Sequence, residues 1–307
     1  ATQSCVVKES CIENMSGYLS EKMISVSYKN AQNGWVVLTD IEQRIKEKIE
    51  RVGTPLKDWD INIYRGILTG YNEAFIIDGK KRQELIDKSP NSADVIRPIL
   101  RGRDIKRYGY EFADYWLINT HNGIKDKSIE PINIENYPAI KEHLNRYWNE
   151  LANRADKGDT PYNLRNCAYM EDFNKPKIIW KIIGNQMAFA MDTNNFIVNN
   201  ACYILTGEDL EYLLMMLNSN IIKWYSYQTN MNKTGVGDVQ VGGQNLLLFP
   251  IPIISKSKYE PFIQLLDKLM KEKEKNANIS IIETEINNMI YKLYNLESDE
   301  INFIKNK

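Results

Sequence analysis

From Ile61 to about Leu117 the chain never stays apolar for long. The β-prone runs "INIYRGILTG", "EAFIID", "IRPIL" and "DYWLI" are punctuated by Gly66, Gly70, Gly79, Gly102 and Gly109. Short runs separated by glycine turns predict a twisted, mostly antiparallel sheet. A second block with the same texture, "KPKIIWKIIG", "MAFAMD" and "FIVNNACYILTG", follows after Lys175. The expected fold class is therefore α+β, with helices at the periphery of the sheets.

The helices carry clear signals of their own. In "GWVVLTDIEQRIKEKIERVGTPL", Trp35 to Leu38 reads as a short strand, Asp40 as an N-cap and Gln43 as the far side of a capping box. Ile41, Ile45, Ile49 and Val52 form an apolar stripe, and Gly53 followed by Pro55 marks the stop. "KKRQELIDKS" reads as a short surface helix, and one helix is expected from Pro138 to about Ala155. Another opens near Glu208, with Leu210, Leu213, Leu214 and Leu217 on its buried side. After "LLLFPIPII" come two one-sided amphipathic helices, Glu260 to Lys275 and Ile279 to Tyr294, expected to pack as an antiparallel pair. These signals divide the chain into a leading segment, 1–40, a central domain, 41–255, and a C-terminal helical region, 256–307.

Several function classes are excluded by residue type. With 39 Lys plus Arg against 40 Asp plus Glu the net charge is -1, so any basic face must be local. Cys5, Cys11, Cys167 and Cys202 lack the spacing of a disulfide framework or a C-x-x-C metal site, and His121 and His143 do not complete a zinc set. Buried free thiols in a reduced cytoplasmic setting are the expectation. No apolar run approaches the ~20 residues of a membrane span. The first residues, "ATQSCVVKES", have neither an initiator Met nor a signal-peptide layout, and suggest an excised fragment.

Catalytic motifs are also missing. The sequence has no G-x-S-x-G, H-E-x-x-H or G-x-x-x-x-G-K-S/T. "GVGDVQVGG" lacks the third glycine of a dinucleotide fingerprint and reads as part of a glycine-rich loop, Asn230 to Asn245. "RDIK" places Asp104 and Lys106 in the D-x-K spacing of a Mg-dependent nuclease, with Asp87 or Asp94 as the second acid. The N-P-P-Y or D-P-P-Y loop that adenine N6 methyl transfer requires is absent, and "PYN" at Pro161 to Asn163 is only an echo of it.

Six stretches taken together resemble one family. They are "IYRGILTGYNEAFIID" (63–78), "IRPILRGRDIKRYGY" (96–110), "LRNCAYMEDFNKPKIIW" (164–180), "LLMMLNSNIIKWY" (213–225), "FPIPII" (249–254) and "INNMIYKLYNLESDEINFI" (286–304). In this order they resemble the TaqI-like C-terminal specificity domain of type II and IIG restriction-modification enzymes that methylate adenine at N6. The resemblance implies a module that reads a short double-stranded DNA sequence and holds no cofactor itself. An upstream methyltransferase domain or subunit would use S-adenosylmethionine, and a fused nuclease would use Mg²⁺.

A motif shared by enzymes with different recognition sequences cannot be what distinguishes those sequences, so shared motifs should fold the domain or hold phosphate. "LTGYNEAF" then reads as strand, tight turn at Gly70 and returning strand. Arg65, Arg101, Arg103, Lys106 and Arg107 become the phosphate-binding candidates, with Asp104 bracing Arg101 or Arg103. Base readout is expected from the less family-like segments. One group is Asn122, Lys125, Arg154 and Arg165; a second is Lys181, Asn185 and Gln186; a third is Asn232, Lys233, Gln240 and Gln244. The competing readings are a self-contained nuclease at Asp104 and Lys106, and a specificity subunit that docks a partner protein through its amphipathic helices.

Overall fold

The computed structural model describes residues 2–5, 14–26, 38–229 and 239–306. The strand expected at Trp35 falls largely outside them, as do Asn232, Lys233 and most of the glycine-rich loop.

The strands that organise the molecule are β1 (Ile61–Arg65), β2 (Ile76–Asp78), β3 (Ile96–Leu100), β4 (Tyr115–Ile118), β5 (Lys177–Lys181), β6 (Ile183–Gly184), β7 (Phe189–Asp192), β8 (Ile197–Val198), β9 (Cys202–Gly207) and β10 (Val239–Gln240). One four-stranded sheet has the order β7-β5-β9-β1 and is antiparallel throughout. A second has the order β8-β3-β4-β2, antiparallel except where β8 runs parallel to β3. The α+β reading, with mostly antiparallel sheets, describes this architecture.

Side chains alternate across the first sheet, and each face is buried by a different layer. Ile178, Trp180, Phe189 and Leu205 point into one core, while Ile179, Ala190, Cys202 and Ile204 point into another. The first core is closed by helices α1 (Asp40–Val52), α5 (Leu210–Leu217), α6 (Asn220–Thr229), α7 (Glu260–Glu274), α8 (Ser280–Leu293) and α9 (Ser298–Lys305). The second is closed by the other sheet and by α2 (Gly79–Lys88), α3 (Pro138–Asn145) and α4 (Trp148–Asn153). Because β5 is covered on both sides, it reads as a continuous apolar run, "KIIWK", rather than an alternating one.

Local structure follows the sequence signals with informative departures. The cap of α1 is Thr39, one residue earlier than expected, and Glu42 rather than Gln43 completes the box. The Glu42 carboxylate accepts from the Thr39 backbone N–H at 2.8 Å, and the Thr39 hydroxyl accepts from the Glu42 N–H. At the other end, Gly53 keeps an ordinary extended φ; a Cβ there would collide with the carbonyl of Pro250 on the neighbouring strand. The expected helix 138–155 is broken into α3 and α4 at Arg146 and Tyr147, whose N–H groups bond three residues back, to His143 and Leu144. The segment after Gly70, expected as a returning strand, first makes one helical turn, Asn72–Phe75, and then enters β2. Gly70 itself turns with φ +70, as a glycine there permits.

The C-terminal pair is a trio, since α9 follows α8 and adds Ile304 to the first core. Among the described residues no helix is long and apolar enough to cross a membrane.

Candidate functional site

The strand ends bring together residues that are far apart in sequence. Arg65 closes β1, Gly102 and Arg103 follow β3, Lys181 closes β5, and Asn199 to Ala201 form the turn from β8 into β9. Together with Asn72, Glu73, Ile182, Ile183 and Gln240 they line an open cleft of about 920 Å³.

The floor depends on a close backbone approach at Gly66. The Gly66 N–H donates to Cys202 O at 2.9 Å, and a Cβ on Gly66 would overlap the carbonyls of Val198 and Asn199. Gly66→Ala is therefore expected to displace the Asn199–Asn200 turn and destabilise the protein by roughly 2–3 kcal/mol, the range of an overpacked core. Urea unfolding measures this, and an unchanged midpoint would refute the close-approach argument.

The cations at the cleft are not equivalent. Arg101 forms a fork with Asp104, Nε to Oδ2 at 3.0 Å and Nη2 to Oδ1 at 2.9 Å, while its backbone N–H donates to the same carboxylate at 2.8 Å. Its guanidinium also lies 3.8 Å from the centre of the Tyr115 ring. The hydrogen bonds it donates to Asp104 hold the Arg101 pKa above its ordinary value. Arg101 is thus a wall of the cleft whose guanidinium is tied to Asp104 through Nε and Nη2, which sets it apart from Arg65 and Arg103 among the phosphate candidates. Arg65 donates one bond, Nε to Asn200 O at 2.9 Å, which leaves the two outer nitrogens of its fork without another hydrogen bond. Arg103 and Lys181 have no side-chain hydrogen bond or ion pair among the described residues.

Asp104 is the brace expected in one of the two sequence readings, and its commitment to Arg101 corrects the nuclease alternative. Both of its oxygens are occupied, its residue is buried, and Lys106 instead reaches back to the Arg103 carbonyl at 3.1 Å. Among the described residues no group of three or more His, Cys, Asp or Glu is placed to hold a metal ion.

Three further expectations are corrected by burial and partners. Arg107 donates to Asn218 O at 2.6 Å and pairs with Glu283 at 3.0 Å, so it ties the segment after Asp104 to α8. Arg154 is only 7% exposed and donates to the carbonyls of Thr69, Pro161 and Asn163. Burial pulls its pKa down to about 10, with Asp156 opposing the shift. Asn122 is buried too, its amide bonded to Asp159 and Asn166. Both residues hold loops in place through these bonds.

The remaining described candidates lie at the surface and are not among the residues that line the cleft. Lys106 is exposed beside Glu111, Lys125 sits on an exposed turn, and Arg165 pairs with Asp156 at 3.2 Å. Asn185 and Gln186 are exposed just beyond β6, and Gln244 on the short helix Gly243–Leu246. Sequence reasoning missed Asn72, Glu73, Ile183, Asn199 and Asn200. The available signal was "NNA" between two β-prone runs, a turn pair whose amides must be exposed. Glu73 is the lone carboxylate lining this cleft, and it bonds the Tyr71 hydroxyl, raising that pKa to about 12.

The fold and this cleft define a two-sheet recognition scaffold with an open groove whose charged side chains are mostly cationic. The chain belongs to the TaqI-like C-terminal specificity domain family, whose model matches residues 97–251, about half of the chain. In fold it is similar to the type IIL restriction-modification enzyme MmeI, solved in complex with DNA, with TM-score 0.61 at 11% identity, covering 82% of this chain and 36% of that one. The type IIG restriction endonuclease BpuSI matches with TM-score 0.46 at 13% identity, covering 83% of this chain and 33% of that one. The chain therefore spans about a third of the length of either enzyme.

Proposed function

We propose that this chain reads a short double-stranded DNA sequence on behalf of a restriction-modification enzyme. The observation that carries the proposal is the cleft itself. On a chain of net charge -1 it gathers Arg65, Arg103 and Lys181 with the amides of Asn199, Asn200 and Gln240. Cations that lack carboxylate partners suit phosphate oxygens, which position a duplex without reading it. Amide side chains suit base edges, where Asn and Gln pair with adenine.

In this reading Arg65 and Arg103 hold the backbone, while Lys181 and the amides face the bases. The chemistry belongs to an upstream adenine-N6 methyltransferase domain or subunit in the cytoplasm, which would bind S-adenosylmethionine. A fused nuclease, where present, would add Mg²⁺. This chain's own part is to bind and orient the duplex.

Binding of random-sequence duplex by the chain, followed by fluorescence anisotropy across salt concentrations, tests the reading. Two or more phosphate contacts predict a slope of log K against log salt of about -2 or steeper, at roughly -0.9 per contact. A flat salt dependence would sink the proposal.

A further inference from the structure

One edge of the cleft is a two-stranded ribbon made by β6 and β10, in which Ile183 stands directly opposite Gln240 and Gly184 opposite Val239. Directly opposed residues of an antiparallel pair project from the same face. Val239 is buried in the first core, whereas Ile183 and Gln240 both line the cleft.

The ribbon is anchored at its base. Ile182 N–H donates to Ala201 O at 2.9 Å, Val241 N–H to Ile182 O at 2.7 Å, and the buried Trp180 indole N–H to Val241 O at 3.1 Å. The pair next to that base, Ile183 and Gln240, is therefore presented from a fixed frame.

Those two side chains stand together at the edge of a cleft whose charges are mostly cationic. Ile183 is 51% exposed, and the Gln240 amide has no hydrogen-bond partner among the described residues. A lone exposed isoleucine needs no explanation. An isoleucine in register with a free amide, at the edge of a cationic groove, has a specific complement. The major-groove edge of an A·T pair offers an acceptor and a donor on adenine, N7 and N6, which match a carboxamide. Beside them it offers the thymine C5-methyl, which matches an apolar side chain. A two-stranded ribbon is also of a size the major groove admits.

Resting on the DNA-reading assignment above, we infer that the Ile183–Gln240 pair reads one A·T base pair from the major groove. Gln240 bonds adenine N6 and N7, and Ile183 packs on the thymine methyl.

The test begins with selection of duplexes from a random pool by the unaltered chain, which yields its preferred sequence. Gln240→Ala is then expected to relax one A·T position by roughly ten-fold while leaving the others unchanged. Replacing the thymine of that pair by deoxyuridine removes the methyl and should weaken binding about four-fold, the worth of one buried methyl. Ile183→Val should keep that sensitivity, and Ile183→Ala should lose it. The inference is overturned if Gln240→Ala leaves the selected sequence intact, or if deoxyuridine costs the same with Ile183→Ala as without it. Failure of the unaltered chain to select any sequence would instead overturn the DNA-reading assignment.

Discussion

Replacing Arg65 and Arg103 together by glutamine is expected to weaken duplex binding by roughly 30-fold at about 0.15 M salt. The estimate follows from counterion release: each lost phosphate contact removes about 0.9 from the salt slope, so two contacts flatten it by about 2. The loss should be uniform over sequences, because phosphate contacts carry no base information. Glutamine ends where the arginine Nε lies and keeps an N–H there for Asn200 O, while the charge is lost. Arg101→Gln makes the contrast. Its guanidinium is already neutralised by Asp104, so its removal should cost stability and leave the salt slope unchanged. Anisotropy titrations at several salt concentrations measure all three quantities. A slope unmoved by the double substitution would show that these arginines do not meet phosphate.

The second large effect concerns the sheet behind the cleft. Lys177 and Asp192 face each other across β5 and β7, are each 0% exposed, and pair at 2.6 Å. The Lys177 ammonium also donates to Phe173 O at 2.6 Å. Asp192 accepts from the backbone N–H groups of Asn194 and Phe196 at 2.9 and 3.0 Å, and from the Tyr110 hydroxyl at 3.1 Å. Burial pulls the Lys177 pKa down, with Asp192 opposing it, so each charge depends on the other. Lys177→Met should therefore destabilise the protein by about 3–5 kcal/mol, the cost of an uncompensated buried carboxylate. Adding Asp192→Asn removes that charge but keeps a single oxygen, for Asn194 or for Phe196 and not for both, and should restore part of the loss. Urea unfolding of the single and double variants decides it; a single-variant loss below about 1 kcal/mol would contradict the argument.

The architecture was legible where periodicity and punctuation act locally. The stripe of Ile41, Ile45, Ile49 and Val52 located α1, and the short glycine-bounded runs located the sheets. The cap slipped by one residue because "TDIEQ" offers two overlapping capping boxes, and only geometry selects Thr39 with Glu42. Arg154 was misread for a different reason. In "NRADKG" it has the polar neighbours of a solvated loop, while the carbonyls that capture it come from Thr69, Pro161 and Asn163, one of them distant in sequence. The cleft was half legible. Arg65, Arg103, Lys181 and Gln240 were singled out by type, but their meeting depends on strand order, which no local pattern encodes.

The segregation of side chains around the first sheet also bears on how recognition can change over generations. Residues at the rim of the cleft sit at strand ends and in turns, whereas both cores are filled from the strand interiors and the helices. Exchange of Lys181, Ile183, Asn200 or Gln240 for another type leaves every packed apolar layer untouched. Under the proposed reading, a few replacements at this rim change the side chains offered to DNA while the layers that hold the fold stay as they are.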